Sequence, residues 1–216
     1  MGVHFFDVDH TIVRGSTGRH FLQTGIGMGL SPRKELLRLP FLYLRYRLGM
    51  LGTSILEEEL PSIIGKTREQ LEAVAQKAFE EKIQPRIYQD ALAYMDALRA
   101  KGEVVAIATS SVDIIVQPLA QHLHIADVIA TSFEFKDGVC SGKFKEMPNF
   151  STEKKERALS FLKARGLDPV TCSFYSDSIY DLPLLQAVGN PVAVNPDIRL
   201  ALQANRNHWK ILRFSR

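Results

Sequence analysis

Short apolar runs separated by longer amphipathic stretches recur along this chain. Val3-His4-Phe5-Phe6, extending to Val8, reads as a buried strand. So do Val104–Ala108, Val128–Ala130, Cys172–Tyr175 and Pro191–Val194. These runs are continuous rather than alternating, as expected of strands covered on both faces. Between them the apolar spacing turns helical, over Tyr88–Ala100, Asp113–His122, Thr152–Arg165 and Asp181–Val188. Gly166 supplies the stop for the third of these helices. Strands alternating with helices predict a mostly parallel sheet with right-handed crossovers. Phe133-Glu134-Phe135 and Val139–Lys143 flank Asp137-Gly138, the pattern of a hairpin with a tight turn.

From Ser16 to Arg86 the pattern is helical with little strand signal. Ser31-Pro32 opens one helix, with Pro at its first position. Thr53 is a candidate cap for another. Thr67-Arg68-Glu69-Gln70 has the form of a capping box and runs into Leu71, Val74, Ala75 and Ala78. Pro85 closes the block. A helical stretch of about 70 residues is too long for a connection. The predicted fold is therefore α/β: a Rossmann-like parallel-sheet core, residues 1–15 and 87–216, with an inserted all-helical cap, residues 16–86.

Composition alters this picture little. The chain has 216 residues and 45% hydrophobic content, ordinary for a globular protein. Its net charge of +3 is mild, and no Lys/Arg block is interleaved with aromatics. A nucleic-acid partner is therefore not expected, whereas an anionic small substrate is compatible. Cys140 and Cys172 have no metal-ligand spacing and suggest no disulfide framework. The apolar start is too short for a signal peptide and already carries Asp7 and Asp9, so a reducing, cytoplasmic setting is the expectation. Nothing in the pattern indicates an oligomeric state.

The candidate chemistry lies where strands end. Asp7-Val8-Asp9, followed by His10 and Thr11, closes the first strand. Two carboxylates there are costly to bury without a cation or strong donors. Ligands of open α/β sheets bind just outside the carboxyl ends of the strands. A metal-assisted site is one reading; strand-end turn residues or caps are the other. Thr109-Ser110-Ser111 follows the strand Val104–Ala108 and suits a phosphoryl oxygen, although Ser/Thr there also serves as an N-cap. Lys154-Lys155 stands in the first turn of a helix, where a cation opposes the macrodipole. Each is either a solvated lysine or a phosphate ligand. Asp177 and Asp181 flank Ser178 at a fourth strand-to-helix turn, four residues apart and able to share a face. One could hold a metal and the other could orient it, or Asp177 could simply cap the helix.

In this order, Asp-x-Asp-x-Thr, Thr/Ser, Lys and Asp-x-x-x-Asp, the four patches resemble the haloacid dehalogenase superfamily of phosphotransferases, in its phosphoserine-phosphatase-like branch. The resemblance takes in Asp181-Leu182-Pro183-Leu184-Leu185, Val192-Ala193-Val194-Asn195-Pro196-Asp197 and the closing Trp209-Lys210-Ile211-Leu212-Arg213-Phe214. It implies a Mg²⁺-dependent phosphatase. Asp7 would be the nucleophile that becomes phosphorylated, and Asp9 the acid/base. Thr109, with Ser110, would hold the phosphoryl group, and Lys154, favoured over Lys155 by spacing, would bridge phosphate and carboxylate. Asp177 would ligate the metal together with Asp7 and the Asp9 carbonyl, with Asp181 and Ser178 supporting it. The helical insert would be the cap that closes over the substrate. A phosphotransferase or mutase using the same intermediate, and a catalytically silent module on this fold, are the alternatives.

The departures concern the substrate. The family's phosphoserine phosphatases carry a Glu nine residues after the nucleophile; Ser16 stands there. Glu57-Glu58-Glu59 lies near the point where they use an Arg. The substrate implied is a small phosphorylated metabolite other than phosphoserine. The acidic triplet would suit an amino-alcohol phosphate, or be a solvated helix face. Arg14 and Arg19 could gather a second anionic group, or be solvated linker residues. Leu36–Leu51 alternates apolar residues with Arg38, Arg45 and Arg47. It reads as a cap helix; a membrane-surface role is the alternative, opposed by the interruption at Pro40.

Overall fold

The computed structural model describes residues 2–30, 32 and 60–215. The helix expected at Ser31, the cap at Thr53, the stretch Leu36–Leu51 and the triplet Glu57–Glu59 concern residues outside these.

Strand β1 (Val3–Phe6) leads through a turn to helix α1 (Thr17–Gly27). Helix α2 (Arg68–Ala78) runs on through a π turn, Phe79–Ile83, and a 3₁₀ turn, Gln84–Arg86, to α3 (Gln89–Arg99). Then come β2 (Val104–Val112), α4 (Asp113–His122), β3 (Val128–Thr131), the hairpin β4 (Phe133–Lys136) and β5 (Val139–Phe144), and α5 (Thr152–Ala164). Strand β6 (Ser173–Ser176), α6 (Leu182–Leu185), β7 (Asn190–Val194), α7 (Ile198–Arg206) and β8 (Lys210–Leu212) complete the described chain.

Six strands form one parallel sheet in the order β3-β2-β1-β6-β7-β8. Side-chain parity explains the continuous apolar runs. Phe6, Ile107, Tyr175 and Val194 enter one core layer, while Phe5, Ala106, Phe174 and Ala193 enter the layer on the opposite face. Both faces of the central strands are covered, so apolar residues stand at successive positions there. Burying each Phe contributes roughly 1.5–3 kcal/mol. The chain order places β1 between β2 and β6, so the carboxyl ends of these three strands lie side by side. Asp7, Thr109 and Asp177 sit at those ends.

Most predicted elements occur, with three differences. Strand β2 continues through Thr109–Ser111 to Val112, with an irregularity in its pairing to β3 between Ala108 and Val112. The helix expected over Asp181–Val188 is a 3₁₀ turn, Ile179–Asp181, followed by one helical turn ending at Leu185. Strand β8 carries only three residues, and Val192↔Lys210 register with β7 creates it. Its ladder is tertiary, so no local period announces it.

The described part of 16–86 is helical apart from turns, and the Thr67 capping box forms as predicted: Gln70 N donates to Thr67 Oγ1 and Thr67 N to Gln70 Oε1. This segment packs on the hairpin β4–β5. Phe21, Ile63, Leu71 and Val74 share an apolar cluster with Phe133 and Cys140. Leu60 N donates to Gly142 O at 2.7 Å. Gly142 has φ +87°, and a Cβ there would lie 2.4 Å from Ile64 Cγ1, so both conformation and approach demand glycine.

Candidate active site

The site grows out of the end of β1. Asp7 N donates to Tyr175 O at 2.9 Å, which continues the ladder one residue past the strand. The chain then turns: Val8 O accepts Ile12 N at 2.9 Å and Val13 N at 3.0 Å, with His10 at φ +59°. The turn leaves Asp7 buried and Asp9 partly exposed.

Lys154 is the cation of this group. It projects from the first turn of α5, is 1% exposed, and reaches Asp7 Oδ1 at 3.1 Å and Asp181 Oδ1 at 2.7 Å. Ser176 Oγ donates to Asp181 Oδ2 at 2.6 Å. Asp181 thus anchors the ammonium from behind, and Asp7 meets it in front. Lys155 is half-buried and pairs with Glu156 at 2.9 Å. The geometry separates the two lysines that the sequence left open.

Asp9 is held differently. Its Oδ1 accepts both Thr17 N at 2.9 Å and Thr17 Oγ1 at 2.8 Å, at the first turn of α1. Thr17 Oγ1 also lies 2.9 Å from Ser111 Oγ. Two donors on one oxygen fix the carboxylate and direct the other oxygen elsewhere. Thr109 is 2% exposed, and its Oγ1 accepts Ser111 N at 3.2 Å; Ser110 is half-buried beside it. Ser178 N donates to Ser176 Oγ, and Ser178 Oγ accepts Tyr180 N, so Ser178 shapes the turn that carries Asp177. Asp177 O accepts Asp197 N at 2.8 Å. Arg14 and Arg19 have exposed side chains, and among the described residues neither pairs with the carboxylate group.

The electrostatics are lopsided. Burial pushes Asp7 up to about 7 against the pull of Lys154, with Asp181 and Asp9 adding to the rise. Asp177 is pushed up to about 9, chiefly by burial and then by Asp7, Asp181 and Asp9. Among the described residues no cation or hydrogen-bond donor contacts the Asp177 carboxylate. Among the described residues, one ammonium therefore faces four carboxylates. A divalent cation would supply the missing charge, and the donors are the hard oxygens that Mg²⁺ prefers. Among the described residues no three His, Cys, Asp or Glu side chains are clustered for a metal. Asp7, Asp177 and the Asp9 carbonyl still present the hard oxygens such an ion takes, with waters in its remaining positions. The residues fit the ion.

A stability prediction follows from these two groups. Both carboxyls bind protons more tightly folded than at the ordinary value of 3.8. Their contribution is greatest below that value and is lost as pH rises through about 7 and about 9. In EDTA the melting temperature should fall between pH 6 and pH 9, and Asp177→Asn should flatten that slope. A flat wild-type profile would contradict the charge imbalance.

Several contributors escaped the sequence. Thr17 follows Gly15-Ser16 and looks only like a helix start. Ser176 reads as a strand residue. Asp197 closes two turns, accepting Ile179 N and Leu200 N, but reads as one cap. Asn149, fully buried between β2 and β3, lies in a stretch that reads as plain loop.

The comparisons with known proteins give the family. The family model for haloacid dehalogenase-like hydrolases matches residues 4–186. A phosphoserine phosphatase of Mycobacterium tuberculosis is 30% identical over 97% of this chain and 70% of its own length. A histidinol-phosphatase of Neisseria meningitidis is 28% identical over 97% of both chains. A crystal structure of a Bordetella pertussis protein of unknown function superposes with a TM-score of 0.85 at 26% identity, over 97% of both chains. The chain belongs to the haloacid dehalogenase-like hydrolases, as an enzyme of their phosphatase class.

Proposed function

We propose that this phosphatase is a Mg²⁺-dependent phosphomonoester hydrolase that works through an aspartyl phosphate on Asp7 and acts on a small phosphorylated metabolite. The observation that carries the reading is Lys154, buried between Asp7 and Asp181, with Asp177 close enough to feel both carboxylates and met by no cation among the described residues. Asp7 and Asp177, with the Asp9 carbonyl, would hold Mg²⁺, which neutralises charge as two anions approach. The Lys154 ammonium contributes to the same end from the protein side. Thr109 and Ser110 hold the phosphoryl group. An Asp7 oxygen attacks phosphorus, and the P–O bond to the ester oxygen breaks. Asp9 gives that oxygen its proton through the carboxylate oxygen that Thr17 leaves free. Asp9 then takes a proton from water, which attacks the same phosphorus and releases phosphate and free Asp7. Residues 16–86 act as the cap over a core of 1–15 and 87–216. Thr17, at the first turn of α1, joins the start of this segment to Asp9 and Ser111 of the core.

EDTA should abolish hydrolysis of p-nitrophenyl phosphate, and Mg²⁺ should restore it; full turnover in metal-free buffer rejects the proposal. Added alcohol should not divert the phosphoryl group, since a phosphorylated alcohol product would mark a transferase.

The substrate we infer is not phosphoserine. Ser16 N-caps α1, its hydroxyl accepting Arg19 N, and so offers no carboxylate to an amine. In a metabolite panel that includes histidinol phosphate, phosphoserine should rank low in kcat/KM. A top ranking for phosphoserine overturns this inference. We propose a cytoplasmic enzyme; among the described residues no helix is long and apolar enough to cross a membrane.

A further inference from the structure

Beside the phosphate-binding end of β2 lies a buried polar network that no step above uses. Asn149 is completely buried, and Thr131 is 1% exposed. Asn149 Nδ2 donates to Thr109 O at 2.7 Å and to Ile129 O at 3.1 Å. Asn149 N donates to Thr131 Oγ1 at 2.9 Å, and Thr131 Oγ1 donates to Ser110 O at 3.0 Å. Two successive carbonyls of the phosphate-binding segment are therefore pulled toward β3.

The direction of that pull matters. A trans peptide is planar, with C=O and N–H pointing opposite ways. If Thr109 O faces β3, Ser110 N–H faces away from it. Strand β2 lies between β3 and β1, so the opposite side is that of Asp7. Asn149 thus aims a backbone donor toward the place where the phosphoryl group must sit.

The network is costly for a purely structural device. Among the described residues Asn149 Oδ1 is buried with no hydrogen-bond partner, whereas a loop closing over a sheet edge needs no buried amide. The segment is clamped a second time. Arg157, one turn beyond Lys154 on α5, donates to Ala130 O and to Met147 O and pairs with Glu146. The stretch from Glu146 to Lys154 is thereby fastened to the end of β3, so that the donor set by Asn149 and the ammonium of Lys154 share one frame.

We propose that Asn149, with Thr131, is a positioning residue for the phosphoryl group: it orients the Thr109–Ser110 peptide so that its N–H binds the phosphate oxygens. This rests on the phosphatase reading above. Neither residue touches Asp7, Asp177 or the predicted metal.

The test separates anion binding from metal binding. Inorganic phosphate is used as competitive inhibitor of p-nitrophenyl phosphate hydrolysis in saturating Mg²⁺. Mg²⁺ affinity is measured separately by titration of the free protein. Thr131→Val replaces the hydroxyl by a methyl of the same size on a strand. Asn149→Asp keeps the shape but removes donor hydrogens. Each folded variant should weaken phosphate inhibition by ~10-fold or more, the size of a misplaced charge-assisted hydrogen bond. Mg²⁺ affinity should stay within about twofold of wild type, which a general loosening of the site would not allow. Thr131→Ser retains the hydroxyl and should restore phosphate affinity. Unchanged phosphate affinity in Thr131→Val, an equal loss in Thr131→Ser, or a parallel loss of Mg²⁺ affinity overturns the assignment. A wild-type protein that binds no phosphate in Mg²⁺ rejects the phosphatase reading itself.

Discussion

Asp7→Asn should abolish turnover and leave no phosphoenzyme to trap. The amide is isosteric, so the buried position past β1 should still be filled. What disappears is the anionic oxygen that attacks phosphorus in the proposed mechanism. Removing a covalent nucleophile costs on the order of 10⁴–10⁶-fold in kcat. Asp9→Asn should behave differently. It keeps the nucleophile and the metal carboxylates but removes the proton donor, for a loss of roughly 10²–10⁴-fold. Acid quench after brief exposure to labelled substrate distinguishes the two. Label should accumulate on the Asp9 variant and be absent from the Asp7 variant. Wild-type turnover by a purified Asp7→Asn protein would remove the covalent mechanism.

The second large effect belongs to Lys154. Replacing it by Met keeps the aliphatic stem and deletes the ammonium that lies 3.1 Å from Asp7 and 2.7 Å from Asp181. The two buried carboxyls are then left without their cation. Breaking a buried pair in this way costs about 3–5 kcal/mol. Urea denaturation should show that loss in metal-free buffer, with a smaller loss when Mg²⁺ is present to replace part of the charge. Activity should fall in both conditions. The double variant Lys154→Met with Asp181→Asn should be more stable than the sum of the single losses, because the second change removes a stranded charge. Additive losses would mean that Lys154 and Asp181 are not coupled. Lys155→Met, which removes only a surface pair with Glu156, should change stability by less than about 1 kcal/mol.

The contrast between these two lysines shows what kinds of information were legible in advance. The central strands of the sheet were visible because they are covered on both faces, which favours continuous apolar runs. Asp7, Asp9, Thr109 and Asp177 stood out because polar residues interrupt those runs where the strands end. The Thr67 capping box was local and formed as written. Strand β8 was not legible, because its stability comes from pairing with β7 across a helix. The helix after Asp181 is likewise shorter than its apolar pattern suggested, one turn that buries Leu184 and Leu185 in the core.

The site divides the same way. Its carboxylates and their order along the chain follow from sequence, since strand ends of a parallel sheet collect on one edge. Which lysine reaches them does not. Lys154 and Lys155 are chemically identical neighbours, and only the phase of α5 against the sheet turns one into the core and the other to the surface. Thr17, Ser176 and Asn149 were equally hidden. Each acts through a hydrogen bond to a residue distant in sequence or in another element, and a hydrogen bond has no period. What the sequence determined by itself is the α/β sheet and the acid cluster at its edge, because burial and strand termination write themselves locally. The pairing of charges, the anchoring of the Thr109 and Ser110 carbonyls and the bonds from Thr17 to Asp9 were decided only in three dimensions, where distance replaces order along the chain.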